Sequence, residues 1–276
     1  MDDGLPPLRE VIAAHGLSAK KALGQNFLLD LNLTRKIARA AQPGPEDHIF
    51  EVGPGPGGLT RALLMEGAGH VTVIEKDPRC LKALEDIAAA YPGQLTIVHD
   101  DAMGFDFANA APHKVAANLP YNIGTALLTG WLSAPVWPPR WQNLTLLFQK
   151  EVAQRLVAPV GSKAYGRLSV LTQWRAEASL LFDIGPKAFT PPPKVTSALV
   201  YITPTEAPQS VSVDALSRIT AAAFGQRRKM LRQSLKSLGI DPIALCEAAE
   251  LDPTTRADAV PVADYVSLAR ALPLLP

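Results

Sequence analysis

The stretch HIFEVGPGPGGLT, residues 48–60, decides the fold. A short, β-rich apolar run enters a glycine-rich turn, and the turn opens a segment of helix-favouring residues. Gly53, Gly55 and Gly58 fit the pattern G-x-G-x-x-G, while Gly53, Gly55 and Gly57 fit G-x-G-x-G equally well. Both patterns are typical of a turn whose backbone approaches a ligand closely, because glycine has no side chain in the way.

The residues around this turn indicate which ligand it holds. Glu75 ends the next predicted strand, 22 residues after Gly53, at the place where a carboxylate accepts from ribose hydroxyls in nucleotide-binding folds. Pro54 and Pro56 have no N–H to offer a pyrophosphate, and Glu51 adds a negative charge. These features favour S-adenosylmethionine (SAM), a cationic cofactor without phosphate, over NAD, which is the alternative for this loop.

Strand-like and helix-like segments alternate from residue 48 to residue 149. The strand-like runs are 48–53, 70–75, 95–99, 114–118 and 144–149, and the helix-like segments are 59–66, 79–90 and 123–133. This alternation predicts an α/β fold with a doubly wound, mostly parallel sheet. Two later runs, 178–184 and 196–203, flank a proline-rich turn and predict an antiparallel edge at the C-terminal end of the sheet.

A proline-containing stretch, PTEAPQS at 204–210, reads as a linker. Beyond it the pattern is helical, over 214–224, 227–238, 242–250 and 263–272. The sequence therefore predicts a SAM-binding catalytic domain over 1–206 and a small, all-helical domain over 207–276.

Charge is distributed unevenly, although the net charge is only +1. Segment 207–240 has six Lys/Arg against one acid, and segment 241–276 has six acids against two arginines. Five of these cations are predicted to share one helix: Arg227, Arg228, Lys229, Arg232 and Lys236. Such a helix would neutralise RNA phosphates without reading base sequence, and the alternative is a solvated charged face.

Several classes of protein are excluded by composition. Cys80 and Cys246 form no CxxC pair and the five histidines are scattered, so neither a disulfide framework nor a metal site is predicted. The N-terminus is acidic and has no apolar h-region, and no run approaches the ~18 apolar residues that a membrane span needs. We therefore expect a cytoplasmic protein that does not bind membranes.

The tetrapeptide NLPY, 118–121, follows the fourth predicted strand, at the edge where open α/β sheets bind ligands. If the substrate is an adenine amine, Asn118 Oδ1 and the Leu119 carbonyl can accept its two protons and aim the nitrogen lone pair at a methyl donor. Pro120 ends the strand ladder, and Tyr121 can stack on the base. The alternative interpretation is a plain strand end with a Pro-Tyr turn.

Two further residues are candidates near this edge. Asp101 follows the third predicted strand and could accept from the adenine amine of the cofactor, or it could be a solvated turn acid. A base that enters such a pocket must leave its stack, and a second aromatic ring would then cover its other face. Phe189, in the turn FTPPPK, is the candidate for that ring, and the alternative is a core residue that anchors a hairpin.

The chain resembles the small-subunit ribosomal RNA adenine dimethyltransferases, the KsgA family, which are Rossmann-like SAM-dependent methyltransferases. The matching blocks are KKALGQNFL (20–28), FEVGPGPGGLT (50–60), DAM (101–103), NLPYNI (118–123), LLFQKEVAQRLVA (146–158), SKAYGRLSVLTQ (162–173) and FTPPPKVTSALV (189–200). Seven blocks in order over residues 20–200 make the resemblance specific. The C-terminal segment matches less sharply, apart from FGQRRKMLRQSLK (224–236).

The resemblance implies SAM-dependent dimethylation of N6 of two adjacent adenines in the hairpin loop near the 3′ end of 16S rRNA, within an assembling 30S subunit. It also implies that Asn118, Leu119, Pro120 and Tyr121 hold the target amine and that Phe189 stacks on the base. The implied SAM-binding residues are Gln25, Asn26, Leu28, Gly53, Gly55, Glu75, Asp101 and Asn118. The helical domain is implied to bind RNA, and the chain is expected to act as a monomer.

One position departs from the family pattern. The family usually has NIST after the tyrosine, whereas residues 122–125 here are NIGT, with Gly124 in place of serine. Three rival functions differ from this interpretation: a large-subunit rRNA adenine methyltransferase of the antibiotic-resistance type, an NAD-dependent dehydrogenase, and a non-catalytic RNA-binding assembly factor. The blocks FTPPPK and AYGRLSV disfavour the first, Pro54 and Pro56 disfavour the second, and the intact NLPY disfavours the third.

Overall fold

A computed structural model of the chain describes residues 3–19, 24–107, 109–110, 113–206, 208 and 210–272. Its strands are β1 (Phe27–Leu28), β2 (His48–Val52), β3 (His70–Glu75), β4 (Leu95–His99), β5 (His113–Ala117), β6 (Trp141–Gln149), β7 (Ala176–Ile184), β8 (Phe189–Thr190) and β9 (Ser197–Pro204). Residues 20–23 of the block 20–28, and residues 207 and 209 of the predicted linker, lie outside the described residues.

Helices precede, separate and follow these strands along the chain. They are α1 (Leu8–Ala14), α2 (Leu31–Ala40), α3 (Gly58–Met65), α4 (Leu81–Ala90), α5 (Gly124–Leu132), α6 (Lys150–Leu156), α7 (Arg167–Arg175), α8 (Val213–Gly225), α9 (Leu231–Ser234), α10 (Pro242–Ala248) and α11 (Val262–Ala271). Short 3₁₀ turns cover Pro78–Cys80, Pro186–Ala188, Leu235–Leu238 and Ala257–Ala259.

Within the described residues, seven strands form one sheet in the order β4-β3-β2-β5-β6-β9-β7. The pairs from β4 to β6 are parallel, and β9 pairs with β6 in the antiparallel direction. The predicted doubly wound, mostly parallel sheet with an antiparallel C-terminal strand is therefore confirmed. A separate antiparallel pair joins β1 to β8.

The sheet positions a ligand site at its centre. β2 lies between β3 and β5, so the chain leaves β2 toward one side and later returns to the other side. Loops that follow β2 and β5 diverge at such a switch point and leave a crevice at the carboxyl edge. The glycine-rich turn and the NLPY loop are the two segments that meet there.

Burial explains why these strands read as nearly continuous apolar runs. β2, β3 and β5 are buried along most of their length, as expected for parallel strands covered on both faces. Ile49, Val71 and Ala116 share one core cluster with Leu63 of α3 and Leu84 of α4. The predicted strand bounds agree with the structure within about one residue, except that β6 begins three residues earlier, at Trp141, and β7 two residues earlier, at Ala176.

Contacts between Cα atoms divide the chain into two units. The first contains Met1–Ala134, Pro139–Ala153 and Ser179–Pro204, and the second contains Pro135–Pro138, Gln154–Ala178 and Thr205–Pro276. This division differs from the single boundary after residue 206 that the sequence predicts. The physical reason is burial, because Tyr165 and Trp174 pack into the same hydrophobic cluster as Leu216 and Tyr265 of the C-terminal helices.

The predicted helix over 227–238 is wrong for its first four residues. Helix α8 ends at Gly225, and helical structure resumes only at Leu231, continuing as a 3₁₀ turn over Leu235–Leu238. The Leu231 N–H instead donates to the Thr255 carbonyl at 2.8 Å, and Met230 forms an antiparallel bridge with Arg256. Because this tertiary pairing uses the backbone, Arg227, Arg228 and Lys229 lie on a turn and not on the helix that carries Arg232.

Every helix in the described part of the chain is too short or too polar to span a membrane. No group of three or more His, Cys, Asp or Glu side chains there is arranged to hold a metal ion.

Candidate active site

A cavity opens at the carboxyl edge of β2, β3, β4 and β5. Its walls come from residues within 24–28, 51–59, 74–76, 100–103 and 118–123, together with Leu8. All of the predicted cofactor-binding residues line it: Gln25, Asn26, Leu28, Gly53, Gly55, Glu75, Asp101 and Asn118. Segments that are distant in sequence thus meet in one pocket, as the switch-point argument predicts.

The glycine-rich turn depends on left-handed backbone. Gly55 has φ +56°, and its N–H donates to Glu75 Oε2 at 2.9 Å, which ties the turn to the end of β3. A Cβ on Gly55 would lie only 2.9 Å from the Phe27 ring. Gly57 has φ +87° and caps α3, and a Cβ there would lie 2.2 Å from Ile87 Cδ1.

Gly57→Ala is expected to lower the free energy of unfolding by about 2–4 kcal/mol, because left-handed strain adds to a clash in a packed core. Thermal or urea unfolding measures this change. Gly67→Ala is the matched control, since Gly67 also has positive φ (+95°) but no atom within 4 Å of the added Cβ. The control should cost only the strain, about 1–2 kcal/mol. Equal losses in the two variants would contradict the clash.

Glu75 is buried, and both of its oxygens already accept backbone hydrogen bonds. Gly55 N–H donates at 2.9 Å and Asp77 N–H at 2.7 Å. Burial raises the pKa of the Glu75 carboxyl, and the two backbone bonds oppose that rise. Each carboxylate oxygen has a second lone pair, so Glu75 can still accept from hydroxyl groups of a ligand in the cavity.

Glu51 is a second buried carboxyl in the cavity wall. The Thr60 hydroxyl donates to Glu51 Oε2 at 2.6 Å, and the residue is 1% exposed. Burial raises the pKa of Glu51 to about 8, with a smaller contribution from the charge of Glu75. A cation in the cavity would stabilise the ionised form of this carboxyl.

The segment 24–28 forms one wall of the cavity and contacts neighbouring segments of the first unit. Gln25 Nε2 donates to Asp77 Oδ2 at 3.1 Å, and Asn26 Nδ2 donates to the Gly24 carbonyl at 3.3 Å. The Leu28 carbonyl would lie 2.9 Å from a Cβ on Gly58, so this segment packs directly on the start of α3.

The four residues of the NLPY loop line the cavity, and two of their oxygen atoms are unused as acceptors. Asn118 Nδ2 donates to the Asn26 carbonyl at 3.0 Å, which leaves Oδ1 of the same amide available to accept. The Leu119 carbonyl accepts no hydrogen bond from any described residue, and Pro120 has no N–H. Asn118 Oδ1 and the Leu119 carbonyl are therefore two unused acceptors on neighbouring residues of the cavity wall, and we name them the acceptor pair.

Tyr121 lines the same wall, and its hydroxyl bonds to the buried Ser197 Oγ at 2.5 Å. This bond holds the far end of the ring in position. Burial raises the pKa of the Tyr121 hydroxyl, so the group stays neutral at physiological pH. Tyr121 can thus offer an aromatic face but not a general base.

The structure places Phe189 differently from the stacking position that the sequence predicts. The ring is 2% exposed, belongs to the main hydrophobic cluster of the first unit, and is not part of the cavity wall. Its strand β8 pairs with β1, where Phe189 is the register partner of Leu28. In this conformation Phe189 is a core residue. Its stacking on a substrate base stays a prediction, and it would require the ring to become exposed.

Phe189→Leu separates these two roles. Leucine keeps most of the buried apolar volume, so we expect unfolding stability within about 1.5 kcal/mol of the parent protein and unchanged methyl transfer if the role is packing. If the ring stacks on a base, the variant should stay stable but lose about 5- to 100-fold in kcat/KM. Phe189→Ala is the comparison, and it should lose about 3–5 kcal/mol of stability in either case.

Asp101 keeps part of its surface exposed in the cavity mouth. Lys76 Nζ lies 2.7 Å from Asp101 Oδ2, and the Met103 N–H donates to Oδ1 at 3.0 Å. The Lys76 hydrogen bond holds the pKa of Asp101 below its usual value, so the carboxylate is ionised at neutral pH. It can accept a hydrogen bond from an exocyclic amine.

Gly124 begins α5 behind the acceptor pair. A Cβ there would lie 3.2 Å from Leu119 Cβ and 3.3 Å from Phe148 Cε1. The missing side chain therefore lets Leu119 pack closely against α5, and a serine would require Leu119 to move by a few tenths of an ångström.

The sequence of the chain is similar to that of known proteins over nearly its whole length. The ribosomal RNA adenine dimethylase family matches residues 16–273. The chain is 59% identical over 272 residues to the ribosomal RNA small subunit methyltransferase A of Azorhizobium caulinodans, covering 98% of this chain and 94% of that protein. It is 60% identical to the protein of the same name from a Chelativorans species, covering 98% and 99%.

The chain belongs to the ribosomal RNA adenine dimethylase family. The resemblance identified from the sequence is thus confirmed, and so is the assignment as a methyltransferase.

Solved structures give the same fold. A dimethyladenosine transferase from Plasmodium falciparum superimposes with a TM-score of 0.73 at 24% identity, covering 87% of this chain and 94% of that chain. The 23S rRNA methyltransferase ErmE superimposes with a TM-score of 0.68 at 25% identity, covering 90% and 100%. The Rossmann-like architecture of the dimethylase family is therefore the architecture of this protein.

Sequence reasoning missed several residues of the site. Leu8 lines the cavity because Arg61 holds the N-terminal segment, its Nη2 lying 2.6 Å from Asp3 Oδ1. Lys76 and Met103 also line it. Neither the Arg61–Asp3 pair nor Leu8 has a sequence signal, because 58 residues separate the partners. Lys76 could have been found, since it directly follows Glu75.

Proposed function

We propose that this protein dimethylates N6 of two adjacent adenines in the 3′-terminal hairpin loop of 16S rRNA, using SAM, during assembly of the small ribosomal subunit. The observation that carries the proposal is that the NLPY loop lines the same cavity as the buried carboxyls of Glu51 and Glu75. Family membership supports the reaction class, and 59–60% identity to proteins named for the small subunit supports the substrate.

The cavity fits SAM by its donor and acceptor chemistry. Glu51 and Glu75 are acidic, and Pro54 and Pro56 remove N–H groups that a pyrophosphate would need. When bound, SAM supplies an electrophilic methyl group on a sulfonium. Glu75 would accept from the ribose hydroxyls, Asp101 from the adenine amine, and Glu51 would balance positive charge.

The NLPY loop would orient the substrate. Asn118 Oδ1 and the Leu119 carbonyl would each accept a hydrogen bond from one N6–H group, which aims the amine lone pair into the cavity. Tyr121 would stack on the flipped base, an interaction worth about 1–3 kcal/mol. No side chain needs to act as a general base before transfer, because the amine becomes acidic once it is methylated.

The place of action follows from the substrate. We propose that the protein works in the cytoplasm on an assembling 30S particle and as a monomer. Of the five predicted cations, Arg228, Lys229, Arg232 and Lys236 are exposed on the second unit and would contact RNA phosphates. The fifth, Arg227, instead donates to the Tyr165 and Ser162 carbonyls.

Purified protein with labelled SAM tests the function against its rivals. The acceptors are unmethylated 30S particles, unmethylated 50S particles and naked DNA. We expect label in N6,N6-dimethyladenine from 30S particles alone. Label only from 50S particles would move the function to a large-subunit methyltransferase, and binding of 30S without label would make the protein a non-catalytic assembly factor.

A further inference from the structure

The first described residues of the chain reach the active-site cavity. We name residues 3–17 the N-terminal strap. Its Leu8, the first residue of α1, is 7% exposed and lines the cavity. A Cβ on Gly58 would lie 2.9 Å from Leu8 Cδ2, so Leu8 packs on the start of α3. The cavity therefore has its full wall only while the N-terminal strap stays in place.

Arg61 of α3 holds the first end of the N-terminal strap. Its Nε donates to Asp3 Oδ2 at 2.9 Å, and its Nη2 donates to Asp3 Oδ1 at 2.6 Å. Nη1 also donates to the Pro6 carbonyl at 2.6 Å. The side chains of Arg61 and Asp3 are only 5% and 4% exposed. A forked, charge-assisted contact of this kind is strong and geometrically specific, and removing one partner of a buried ion pair leaves the other charge uncompensated.

The second end of the N-terminal strap packs on α4 and on the 3₁₀ turn before it. One small apolar cluster joins the strap to these elements: Val11, Ile12, Leu17, Cys80 and Ala83. At the surface, His15 Nε2 lies 2.9 Å from Asp86 Oδ2. The strap is thus held at both ends, and Leu8 lies between the two attachments.

A second cavity lies between the N-terminal strap and helices α3 and α4. Leu8 and Pro56 line both this cavity and the active-site cavity. Because there is open space behind Leu8, close packing does not hold its side chain on that side. The position of Leu8 depends instead on the two attachments of the strap. Arg61 lines the second cavity but not the active-site cavity, so it acts on the active site through the strap.

Resting on the proposed use of SAM, we propose that the N-terminal strap completes the cofactor site and that Arg61 is the positioning residue that keeps the strap in place. While Asp3 stays on Arg61, Leu8 keeps the wall of the active-site cavity intact. When Asp3 leaves Arg61, Leu8 can move into the second cavity, and bound cofactor dissociates faster. The apparent affinity for SAM therefore depends on the fraction of the protein in which the strap is attached.

Asp3→Ala tests the attachment, because Asp3 lies on the strap and outside the sheet. A strap that is detached for roughly nine-tenths of the time lowers SAM affinity about tenfold, and we expect a loss of this size in calorimetry. Labelled SAM should dissociate faster by a similar factor. KM for SAM should rise, while kcat on 30S particles at saturating SAM should equal that of the parent protein. Unchanged SAM affinity, or a fall in kcat with unchanged KM, would overturn the proposal.

Asp47→Ala is the matched control. Lys114 Nζ lies 2.6 Å from Asp47 Oδ2, so this variant also removes a carboxylate from an ion pair of the first unit. The pair lies where β2 and β5 begin, at the opposite edge of the sheet from the active-site cavity. SAM affinity should equal that of the parent protein. A loss equal to that of Asp3→Ala would overturn the assignment to the strap, because the loss of any ion pair would suffice.

Arg61→Gln and the double variant Asp3→Ala/Arg61→Gln test whether Arg61 acts through Asp3. Two groups that act as one unit lose their effect once, so the double variant should bind SAM as Arg61→Gln does. Losses that multiply would mean that the two residues act independently, and they would refute the positioning role. Arg9→Gln is the control for the lost charge, since Arg9 is exposed on α1 and lines neither cavity. It should bind SAM as the parent protein does, and a loss as large as that of Arg61→Gln would also refute the role.

Hydrogen exchange gives a measure that does not depend on activity. Without SAM, the amides of α1 should exchange faster in Asp3→Ala than in the parent protein, while those of β2 should be unchanged, because local opening of the strap leaves the sheet intact. Bound SAM should slow the exchange of α1 in the parent protein. If neither the substitution nor SAM changes the exchange of α1, the strap is not part of the cofactor site.

Two outcomes distinguish this inference from the proposed function. If the parent protein methylates 30S particles and Asp3→Ala binds SAM as tightly as the parent does, the function stands and the role of the strap is refuted. If Asp3→Ala weakens SAM binding but the parent protein methylates no particle, the role of the strap stands and the function fails.

Discussion

Asn118→Ala is expected to lower the rate of methyl transfer to 30S particles by about 10²–10³-fold or more. The variant removes Oδ1, one of the two acceptors that would orient the amine, and fixed dipoles of this kind typically contribute that much. It also removes the 3.0 Å hydrogen bond from Nδ2 to the Asn26 carbonyl. That bond should contribute only about 1 kcal/mol to stability, so the variant should stay folded. Single-turnover rates with labelled SAM measure the loss.

The controls for Asn118 separate chemistry from binding. RNA affinity should be unchanged, because the cations proposed to bind RNA lie on the second unit. Asn32→Ala, at an exposed asparagine of α2 outside the cavity, should keep the parent rate. Dimethylation by Asn118→Ala at the parent rate would refute the role of the acceptor pair.

Affinity for SAM is expected to rise between about pH 6 and pH 8, by at most about tenfold per pH unit, and to level off above pH 8. The cause is Glu51, whose pKa burial raises to about 8. Below that pH the carboxyl of the free protein is mostly neutral, and a bound cation must drive its ionisation. Binding at pH 7 should therefore release protons, which calorimetry in buffers of different ionisation enthalpy detects.

Glu51→Gln tests this assignment. Glutamine can still accept from the Thr60 hydroxyl but does not titrate, so the pH dependence should shrink to the part that Glu75 contributes. Affinity at pH 8 should fall about tenfold or more, because a charge opposite the cation is lost. A variant that keeps the full pH dependence would remove Glu51 from the ligand site.

The same raised pKa affects the stability of the ligand-free protein, and its sign can be worked out. Glu51 binds a proton more tightly in the folded state than in the unfolded state. Its contribution to stability is therefore fully present below pH 4.5, the ordinary value, and is lost as the pH rises through about 8. Added SAM should oppose that loss.

Local sequence determined much of the fold and of the site. Strand runs that are buried on both faces must be apolar throughout, so β2, β3 and β5 could be read from the sequence. Glycines are required where the turn adopts positive φ, and Gly55 marks such a position. Glu75 at the end of β3 and Pro120 after β5 are local signals as well, because each can be recognised from its place directly after a predicted strand.

The features that sequence reasoning left open or misplaced all depend on partners that are distant in sequence. Phe189 is buried because β8 pairs with β1, more than 150 residues earlier. Residues 227–230 leave the helix because backbone bonding with 253–256 competes with helical hydrogen bonds. Tyr165 and Trp174 belong to the C-terminal core because their large apolar side chains are buried there against other helices. A single local helix could not remove so much of their surface from water.

The sequence by itself determined the α/β fold, the glycine-rich turn, the NLPY loop and the reaction class, because periodicity, backbone conformation and side-chain chemistry are encoded residue by residue. Only the tertiary structure decided that the Asn118 amide donates to the Asn26 carbonyl, that the Tyr121 hydroxyl bonds to Ser197, and that Arg227 donates to the Tyr165 and Ser162 carbonyls. Hydrogen bonds between distant segments form only after the core has brought them together, so no local pattern specifies them.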